Sequence, residues 1–401
     1  MTGSESRVLV VGCGAHMRTS LLPAMERSGL LPAAACDPQA DRAQAVARAY
    51  GVPAFGSLEE ALGSVECDAA VIAVSRELNG TLARECLSRG LPVFVEKPPA
   101  RTAAEAREIA RLAEEKRLLA QTGFMKRFAP SYSRARRISS SPAFGGPLLL
   151  CLEASAGPYG SLESFLFDYG AHYLDLALHL CGPVEEVQAR RPRVPARPPA
   201  GSAAGGRQGL SGPIVGQSAA TQASCGPQAS NGASAAPTPP GGPGAQAGAA
   251  PPGAEAAEGP VAVQVWLAFS SGALGTLSLS TSAGWQEPCE RLTLYGTRMR
   301  AEVENVVRVR WFRGQPPERP AEGDEAALVY EPNFHLPQLE TGTLALQGYL
   351  GEMRQFRVSL AMGFPPPSTF GTAAQTLELV EAVLRLAAES GGKPPEGGQA
   401  P

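Results

Sequence analysis

The chain has 401 residues, a length that allows two domains with separate hydrophobic cores. Its net charge of −3 gives no electrostatic reason to expect nucleic acid or an anionic membrane as a partner. The first residues lack the charged and apolar regions of a signal peptide, and no apolar run is long enough to span a membrane, so we expect a cytoplasmic protein. The eight cysteines lack the spacing of a metal site or a redox motif and are expected to be free thiols.

Short apolar strands alternate with helical segments in the first third of the chain. The predicted strands are residues 8–11, 31–36, 69–74, 93–95 and 118–122. The predicted helices between them are residues 19–28, 41–50, 78–88 and 103–115, and Pro23 predicts a late start or a kink in the first. Because purely apolar strands suit a sheet buried on both faces, residues 1–124 are predicted to form an α/β Rossmann domain with a doubly wound parallel sheet.

The pattern changes in the second part of the chain. Apolar and polar residues alternate with period two in residues 261–280 and 307–311, which is typical of an antiparallel sheet with one covered face. Further helices are predicted within residues 165–180, 347–360 and 372–388. Residues 125–390 are therefore predicted to form an α+β domain with an open, mostly antiparallel sheet.

A segment of unusual composition interrupts this second domain. Residues 191–259 consist mostly of Gly, Ala, Pro, Ser and Gln and contain almost no large apolar side chain. Such a segment cannot bury enough surface to offset the entropy that it loses on ordering. We predict a disordered insertion here and a flexible tail over residues 391–401. An interaction tail or a regulatory linker is the functional alternative for the insertion.

A glycine-rich turn follows the first predicted strand. It has a G-x-G-x-x-G pattern with methionine in place of the third glycine, and its residues are Gly12, Cys13, Gly14, Ala15, His16 and Met17. The first glycine allows a tight turn, and the second lets the backbone approach a pyrophosphate at the N-terminus of the next helix. Two glycines alone also fit an ordinary turn, but the buried strand before them favours a dinucleotide.

Charged residues at the ends of two other strands complete the predicted cofactor site. Asp37 ends the second strand roughly 20 residues after the glycines, where a carboxylate binds the adenosine ribose and repels a 2′-phosphate, so NAD is preferred over NADP. Asp37 also fits as a turn residue before Pro38. Glu96 and Lys97 follow the fourth strand, where ligands of open α/β sheets bind, although such a pair is also a common solvated salt bridge.

These motifs and three later ones resemble the glucose–fructose oxidoreductase / inositol dehydrogenase / MocA family of NAD(P)-dependent oxidoreductases. The later motifs are residues 122–128 (TGFMKRF), 168–175 (DYGAHYLD) and 271–277 (SGALGTL). The resemblance covers the chain except for residues 191–259. It implies a cis Lys97–Pro98 bond and a homodimer or homotetramer that forms through the open sheet.

The resemblance also implies that Lys97, Asp168 and His172 line a hydride-transfer site. In an alcohol oxidation, His172 would take the hydroxyl proton and Lys97 would stabilise the developing alkoxide. If the segment is helical, Asp168 shares a face with His172 and either orients its ring or binds a substrate hydroxyl. We further assign Ser75, Glu96 and Lys97 to the cofactor site, and Arg127 to the substrate site with the three hydride-transfer residues.

Two structural alternatives remain open for the histidines. His172 also fits as a structural histidine at the start of a helix. Asp168, His172, Asp175 and His179 recur at helical spacing, but they span several turns, so no metal is predicted. His179 and His335 are interpreted as structural.

The sequence departs from the family at several positions. Ser75 and Asn79 stand where a proline and a histidine are common, and Glu163-Ser164 replaces a frequent Gly-Gly pair. These changes argue against a named substrate such as myo-inositol. The predicted function is hydride transfer between NAD(P) and a secondary alcohol of a sugar, amino sugar or cyclitol. The alternatives are a non-catalytic dinucleotide-binding regulator and an NAD-assisted glycosidase.

Overall fold

The computed structural model describes residues 5–192, 261–285, 288–314, 327–334 and 342–391. Nearly all of the predicted insertion at 191–259, the predicted tail after residue 391 and His335 lie outside these ranges. Within the ranges, no helix combines the length and the apolar character that a membrane crossing requires.

The N-terminal part of the chain forms a parallel sheet with connecting helices. Its strands are β1 (Ser6–Val11), β2 (Leu30–Cys36), β3 (Ala54–Phe55), β4 (Ala69–Ile72), β5 (Val93–Glu96) and β6 (Ala120–Gly123). The helices are α1 (Leu22–Glu26), α2 (Ala40–Tyr50), α3 (Leu58–Ser64), α4 (Arg76–Ser88) and α5 (Ala103–Lys116). The strand order β3-β2-β1-β4-β5-β6 confirms the α/β prediction. The strand order changes direction between β1 and β4, although the strands stay parallel. Ligands of such sheets bind at this change in strand order.

Two details of this domain differ from the prediction. The sequence pattern did not indicate β3 and α3, because a strand of 2 residues and a helix of 7 carry too little periodicity. The first helical segment starts earlier than predicted, with a π-helical turn over Met17–Leu21 before α1. Pro23 lies in the first turn of α1, and its missing N–H accounts for the break in the regular hydrogen-bond ladder.

The second sheet is mostly antiparallel, as predicted. Its strands are β7 (Leu149–Ser155), β8 (Val184–Arg190), β9 (Ala262–Phe269), β10 (Leu274–Ser280), β11 (Cys289–Tyr295), β12 (Arg300–Glu304), β13 (Arg308–Phe312) and β14 (Leu328–Tyr330). They lie in the order β14-β13-β12-β11-β7-β10-β9-β8, and β7 and β10 run parallel to each other. The predicted alternation is confirmed in β9, whose buried residues are Val263, Val265, Leu267 and Phe269.

Some helices of this second part pack on the second sheet, and one packs against the N-terminal domain. They are α6 (Pro130–Ser139), α7 (Leu162–Phe165), α8 (Ala171–Cys181), α9 (Thr343–Leu346), α10 (Tyr349–Met362) and α11 (Phe370–Gly391). Residues of α8 and α11 share one core with the inner face of the sheet. α10 instead packs Met353 and Phe356 into the core of the N-terminal domain, and the Phe356 ring lies 5.6 Å from that of Phe94. The C-terminal segment therefore helps to shape the edge where the candidate site lies.

Candidate active site

The glycine turn lies at the carboxyl end of β1, next to that of β4. Gly12 has a φ of +85°, and a Cβ atom there would overlap the carbonyl oxygen of Ala73, so this position requires glycine. A Cβ atom on Gly14 would meet no heavy atom of the described residues within 4 Å, which leaves room for a group to approach the backbone. Ser75 lies just before α4 at the same edge of the sheet. The turn therefore fits the pyrophosphate of a dinucleotide.

The other side chains of the turn divide between solvent and core. Ala15 and His16 are exposed. Met17, which stands in place of the third glycine of the motif, is buried and packs in the hydrophobic core. Cys13 is buried as well, and burial raises the pKa of its thiol to about 12. The thiol is therefore protonated and unreactive at neutral pH. A cofactor would contact Cys13 through its backbone.

Asp37 connects the end of β2 to the glycine turn. It is almost fully buried, and its carboxylate accepts hydrogen bonds from the backbone N–H groups of Cys13 and Gln39, each at 2.8 Å. The hydrogen bond from Gln39 is typical of an aspartate that begins a turn. The hydrogen bond from Cys13 holds the Asp37 carboxylate beside the glycine turn. Since each carboxylate oxygen has a second lone pair, Asp37 can still accept hydrogen bonds from a ribose.

Glu96 connects the glycine turn to the lysine that follows β5. Its Oε1 lies 3.1 Å from Nε2 of His16, and its Oε2 accepts the N–H of Lys97 at 3.0 Å. The buried amide of Asn79 supports the same segment, because Nδ2 donates to the carbonyl oxygens of Glu96 at 3.2 Å and Pro98 at 2.9 Å. Asn79 thus has a structural role that its spacing in the sequence did not indicate.

Lys97 and Asp168 join the two halves of the chain. Nζ of Lys97 donates to the backbone carbonyl oxygen of Asp168 at 2.6 Å and lies 3.9 Å from its Oδ1. The Lys97–Pro98 peptide bond is cis. Asp168 lies in a π-helical turn, so it and His172 do not have the regular helical spacing that the sequence suggests. The Asp168 side chain is 62% exposed, which leaves its carboxylate accessible beside the lysine.

His172 lies in the first turn of α8, directly after the π-helical turn Leu166–Gly170. Its ring packs edge-on against Phe124 with 6.2 Å between centroids, and Nδ1 is buried without a hydrogen-bond partner among the described residues. Burial, followed by the positive charges of Lys97 and Lys126, holds the pKa of His172 well below its usual range. The imidazole is therefore neutral at physiological pH.

All three guanidinium nitrogens of Arg127 donate to protein groups. Nε and Nη2 donate to the two carboxylate oxygens of Asp175 at 2.7 and 2.5 Å, and Nη1 donates to the carbonyl oxygen of Pro367. Both side chains of the pair are buried. The structure therefore does not bring the Arg127 guanidinium into the group formed by Lys97, Asp168 and His172. Asp175, one of the four residues at helical spacing, is likewise committed to Arg127.

Two parts of the chain match family models. Residues 6–124 match the model described as an oxidoreductase family with an NAD-binding Rossmann fold, and residues 162–302 match the GFO/IDH/MocA C-terminal domain. The chain belongs to the GFO/IDH/MocA family of oxidoreductases. The motifs from the glycine turn to the DYGAHYLD segment therefore carried the correct family signal.

Curated relatives of this GFO/IDH/MocA protein include inositol 2-dehydrogenases. Inositol 2-dehydrogenase 4 of Saccharopolyspora erythraea is 32% identical over 211 residues, which are 50% of this chain and 62% of that protein. Inositol 2-dehydrogenase of Leifsonia xyli subsp. xyli is 34% identical over 199 residues, which are 48% of this chain and 58% of that protein. The matched region thus spans about six tenths of the relatives' own length.

Solved structures share the fold over nearly the whole chain. A dehydrogenase from Chromobacterium violaceum superposes with a TM-score of 0.74 at 22% identity and covers 97% of both chains. UDP-N-acetylglucosamine 3-dehydrogenase from Acidithiobacillus ferrooxidans superposes with a TM-score of 0.66 at 18% identity, covering 96% of this chain and 99% of that one. At these identities the likeness establishes the common fold.

The sequence did not reveal a buried charge network beside His172 in this GFO/IDH/MocA protein. Nζ of Lys126 donates to both carboxylate oxygens of Glu290 at 2.8 and 2.7 Å, and the Tyr132 hydroxyl donates to the same carboxylate at 3.1 Å. The ammonium group also lies 5.0 Å from the centre of the Tyr173 ring. No local signal links Glu290 to Lys126, because the two are 164 positions apart in the chain.

Glu352 is a second group that sequence reasoning missed. Its carboxyl oxygens are buried on the inner side of α10 and have no hydrogen-bond partner among the described residues. Burial, followed by the negative charges of Glu96 and Asp175, raises the pKa of this carboxyl well above its usual range. The Glu352 carboxyl is therefore harder to ionise than an exposed one, which its residue type alone does not indicate.

Proposed function

We propose that this GFO/IDH/MocA protein is a dehydrogenase that transfers hydride between NAD and a secondary alcohol of a sugar, amino sugar or cyclitol. The observation that carries the proposal is the contact between Nζ of Lys97 and the carbonyl oxygen of Asp168, because it joins the lysine to the helical segment that carries His172. Glu96 supports the same conclusion, since it contacts both His16 in the glycine turn and the backbone of Lys97.

NAD would be held by the glycine turn and Asp37. The open space over Gly14 accommodates a pyrophosphate, and the Asp37 carboxylate accepts hydrogen bonds from a ribose diol while it repels a 2′-phosphate, which favours NAD over NADP. When bound, NAD supplies the acceptor for the hydride that leaves the alcohol carbon. Ser75, Glu96 and Lys97 are assigned to the nicotinamide side of this site.

Three side chains have proposed roles in the reaction: one accepts the hydroxyl proton, one stabilises the developing negative charge and one binds the substrate. The neutral imidazole of His172 takes the hydroxyl proton while the alcohol is oxidised. The ammonium group of Lys97 stabilises the negative charge that develops on the substrate oxygen. The exposed Asp168 carboxylate accepts a hydrogen bond from a neighbouring hydroxyl, which selects polyhydroxylated substrates. Arg127 is omitted from the substrate contacts because its guanidinium forms a buried ion pair with Asp175.

The substrate class rests on the site and on the relatives named inositol 2-dehydrogenase. Ser75 and Glu163 depart from the family at the site rim, so we propose a polyol class and do not assign myo-inositol. We further propose a cytoplasmic homodimer or homotetramer that assembles through the outer face of the open sheet. Trp266, Leu274 and Tyr295 are exposed on that face.

The test is NADH formation from NAD with a panel of cyclitols, sugars and amino sugars, using wild type and the variants Lys97→Met and His172→Asn. Each variant should lower kcat roughly 10²–10⁴-fold, the usual contribution of a positioned acid–base or charge-stabilising group. Lys116→Met is the matched control, because Nζ of Lys116 also donates to a backbone carbonyl, that of Ser88 at 3.1 Å, but far from the glycine turn. Its turnover should equal that of wild type.

The alternatives give different results in the same assay. Tight NAD binding without turnover on the whole panel would indicate a dinucleotide-binding regulator. Release of a glycosidic leaving group without net NADH would indicate an NAD-assisted glycosidase. Normal turnover in both Lys97→Met and His172→Asn would overturn the residue assignments.

A further inference from the structure

The parallel pair in the second sheet brings two separate loops to one edge. β7 and β10 run side by side in register from Leu149 opposite Leu274 to Ser155 opposite Ser280. Since parallel strands have their carboxyl ends at the same edge, the segments that follow them emerge together. Tyr159 lies in the segment after β7, and Trp285 lies in the segment after β10.

Hydrogen bonds and close packing hold these two segments against each other. Oγ of Ser155 accepts the hydroxyl of Ser280 at 2.8 Å and the N–H of Ala283 at 2.9 Å. A Cβ atom on Gly157 would lie 2.9 Å from Cβ of Thr281, a distance that real Cβ atoms do not adopt, so the glycine permits the close approach. These hydrogen bonds and this close packing therefore fix the position of the two segments relative to each other at the edge of the sheet.

Tyr159 and Trp285 form the outer layer of an aromatic cluster. Their rings are 5.5 Å apart, and the Trp285 ring lies 6.2 Å from Tyr169 at an angle of 89°. Phe165 lies below, 5.4 Å from Tyr159 and 5.7 Å from Tyr169. Phe165 and Tyr169 are buried, whereas Trp285 is 40% exposed and Tyr159 is half-buried. The buried rings thus support an aromatic surface that remains open to solvent.

This surface adjoins the proposed reaction site. Tyr169, which contacts Trp285, is the neighbour of Asp168 in the chain, and Oδ1 of Asp168 lies 3.9 Å from Nζ of Lys97. Burial and then the negative charge of Asp168 raise the pKa of the Tyr159 phenol, which agrees with a short distance between the two groups. A substrate ring held by Lys97 and Asp168 would therefore have the aromatic surface beside it.

We propose that Tyr159 and Trp285 form a subsite that binds a second pyranose ring, linked through a glycosidic bond to the ring that is oxidised. The C–H groups on one face of a pyranose are apolar and pack on the negative face of an aromatic ring, while its hydroxyls need charged or polar neighbours. The inference rests on the proposed function, and it narrows the substrate to a disaccharide or larger glycoside.

The charges around the aromatic surface favour a sugar over an apolar protein partner. The Asp168 carboxylate lies on one side of the surface, and Glu163 lies two positions before Phe165 on α7. Glu163 accepts a hydrogen bond from Arg76 at 3.2 Å, and the Arg76 guanidinium stacks over Phe167 at 4.0 Å. Acidic and basic groups at the rim of an aromatic surface suit a polyhydroxylated ring, whereas the core of a protein interface is depleted of charge.

The experiment measures binding of maltose, cellobiose and lactose, with glucose and myo-inositol as single-ring probes, to the NAD-loaded protein by calorimetry. Trp285→Ala should weaken disaccharide binding about tenfold and leave single-ring binding within about twofold. Tyr159→Phe should bind like wild type because it keeps the ring, and Tyr159→Ala should bind disaccharides more weakly. Phe364→Ala is the matched control, because Phe364 is 60% exposed and lies in the segment after α10, outside both the aromatic surface and the outer sheet face.

Several outcomes would overturn the subsite, and they differ from failure of the proposed function. No binding of any of the three disaccharides to wild type, or equal binding to Trp285→Ala and Phe364→Ala, would overturn it. A change in oligomeric state in Trp285→Ala, seen by light scattering and without loss of sugar binding, would assign the surface to contacts between copies. If no polyol is oxidised but Trp285→Ala still weakens disaccharide binding, the subsite stands and the dehydrogenase proposal fails.

Discussion

Arg127 and Asp175 form a buried bidentate ion pair, with donor–acceptor distances of 2.7 and 2.5 Å. The Thr376 hydroxyl donates to the same carboxylate at 3.1 Å. The pair fastens the 3₁₀ turn Met125–Phe128 to α8 and α11, and α8 also carries His172. Arg127 therefore positions the helix of the proposed base, which explains why the TGFMKRF motif can matter without contact to a substrate.

We predict that Arg127→Met lowers the free energy of unfolding by about 3–5 kcal/mol, because it leaves the Asp175 carboxylate buried without its partner. The measurement is urea denaturation at neutral pH. Arg291→Met is the control, since Arg291 lies 3.9 Å from Glu153 in an exposed pair and should change stability by less than about 1 kcal/mol. A variant at Arg127 with wild-type stability and a raised substrate KM would assign this residue to the substrate site instead.

The parts of the site that follow strand ends could be predicted from the sequence. Gly12 and Asp37 come directly after apolar runs, and Lys97 follows the run 93–95 after one intervening residue. The carboxyl ends of parallel strands meet at one edge of the sheet. Their neighbourhood thus follows from periodicity and topology alone. The residue types then limit the chemistry to a phosphate turn, a ribose acceptor and a cation.

Other parts depend on contacts between distant segments and had no local signal. The ion pair of Lys126 with Glu290 and the aromatic contact of Tyr159 with Trp285 both require that β7 lies between β10 and β11. The alternation of apolar and polar residues in a strand predicts which face of the strand is buried, but it does not predict which strands lie beside it. For Arg127, its position in a motif does not reveal that the guanidinium is paired with Asp175.

Two histidines, the buried His172 and the half-buried His179, should make the folded state sensitive to acid. Burial, followed by neighbouring positive charges, lowers the pKa of His179 to about 3 and holds the pKa of His172 well below its usual range. In the unfolded chain both titrate near about 6.5, so the unfolded state binds more protons below that pH. Their contribution to stability is complete above this value and is lost as the pH falls toward the folded-state pKa values.

The expected signature is a decrease in the free energy of unfolding between about pH 6.5 and about pH 5, with a slope of up to about 1.4 kcal/mol per pH unit for each histidine. His179→Gln and His172→Gln should each reduce the slope, measured by denaturation at several pH values. His179→Gln should keep turnover, whereas His172→Gln should lose it. An identical slope in wild type and both variants would contradict the neutral state of these two rings in the folded protein.

The two glycines of the turn should respond differently to a methyl group. A Cβ atom at Gly12 overlaps the Ala73 carbonyl oxygen at a positive φ, so Gly12→Ala should destabilise the protein by about 1–3 kcal/mol. A Cβ atom at Gly14 points into open space, so Gly14→Ala should change the free energy of unfolding by less than about 0.5 kcal/mol. That space is where the pyrophosphate is proposed to lie. The same variant should therefore raise the Kd for NAD at least about tenfold.

Gly63→Ala separates a specific effect at Gly14 from a general effect of adding a methyl group. Gly63 lies in α3, and a Cβ atom there also meets no described atom within 4 Å. This control should gain up to about 1 kcal/mol of stability from helix propensity and keep its Kd for NAD. Calorimetric titration with NAD measures binding, and urea denaturation measures stability. If Gly14→Ala binds NAD as tightly as Gly63→Ala does, the pyrophosphate does not lie against this turn, and the proposed cofactor site is wrong.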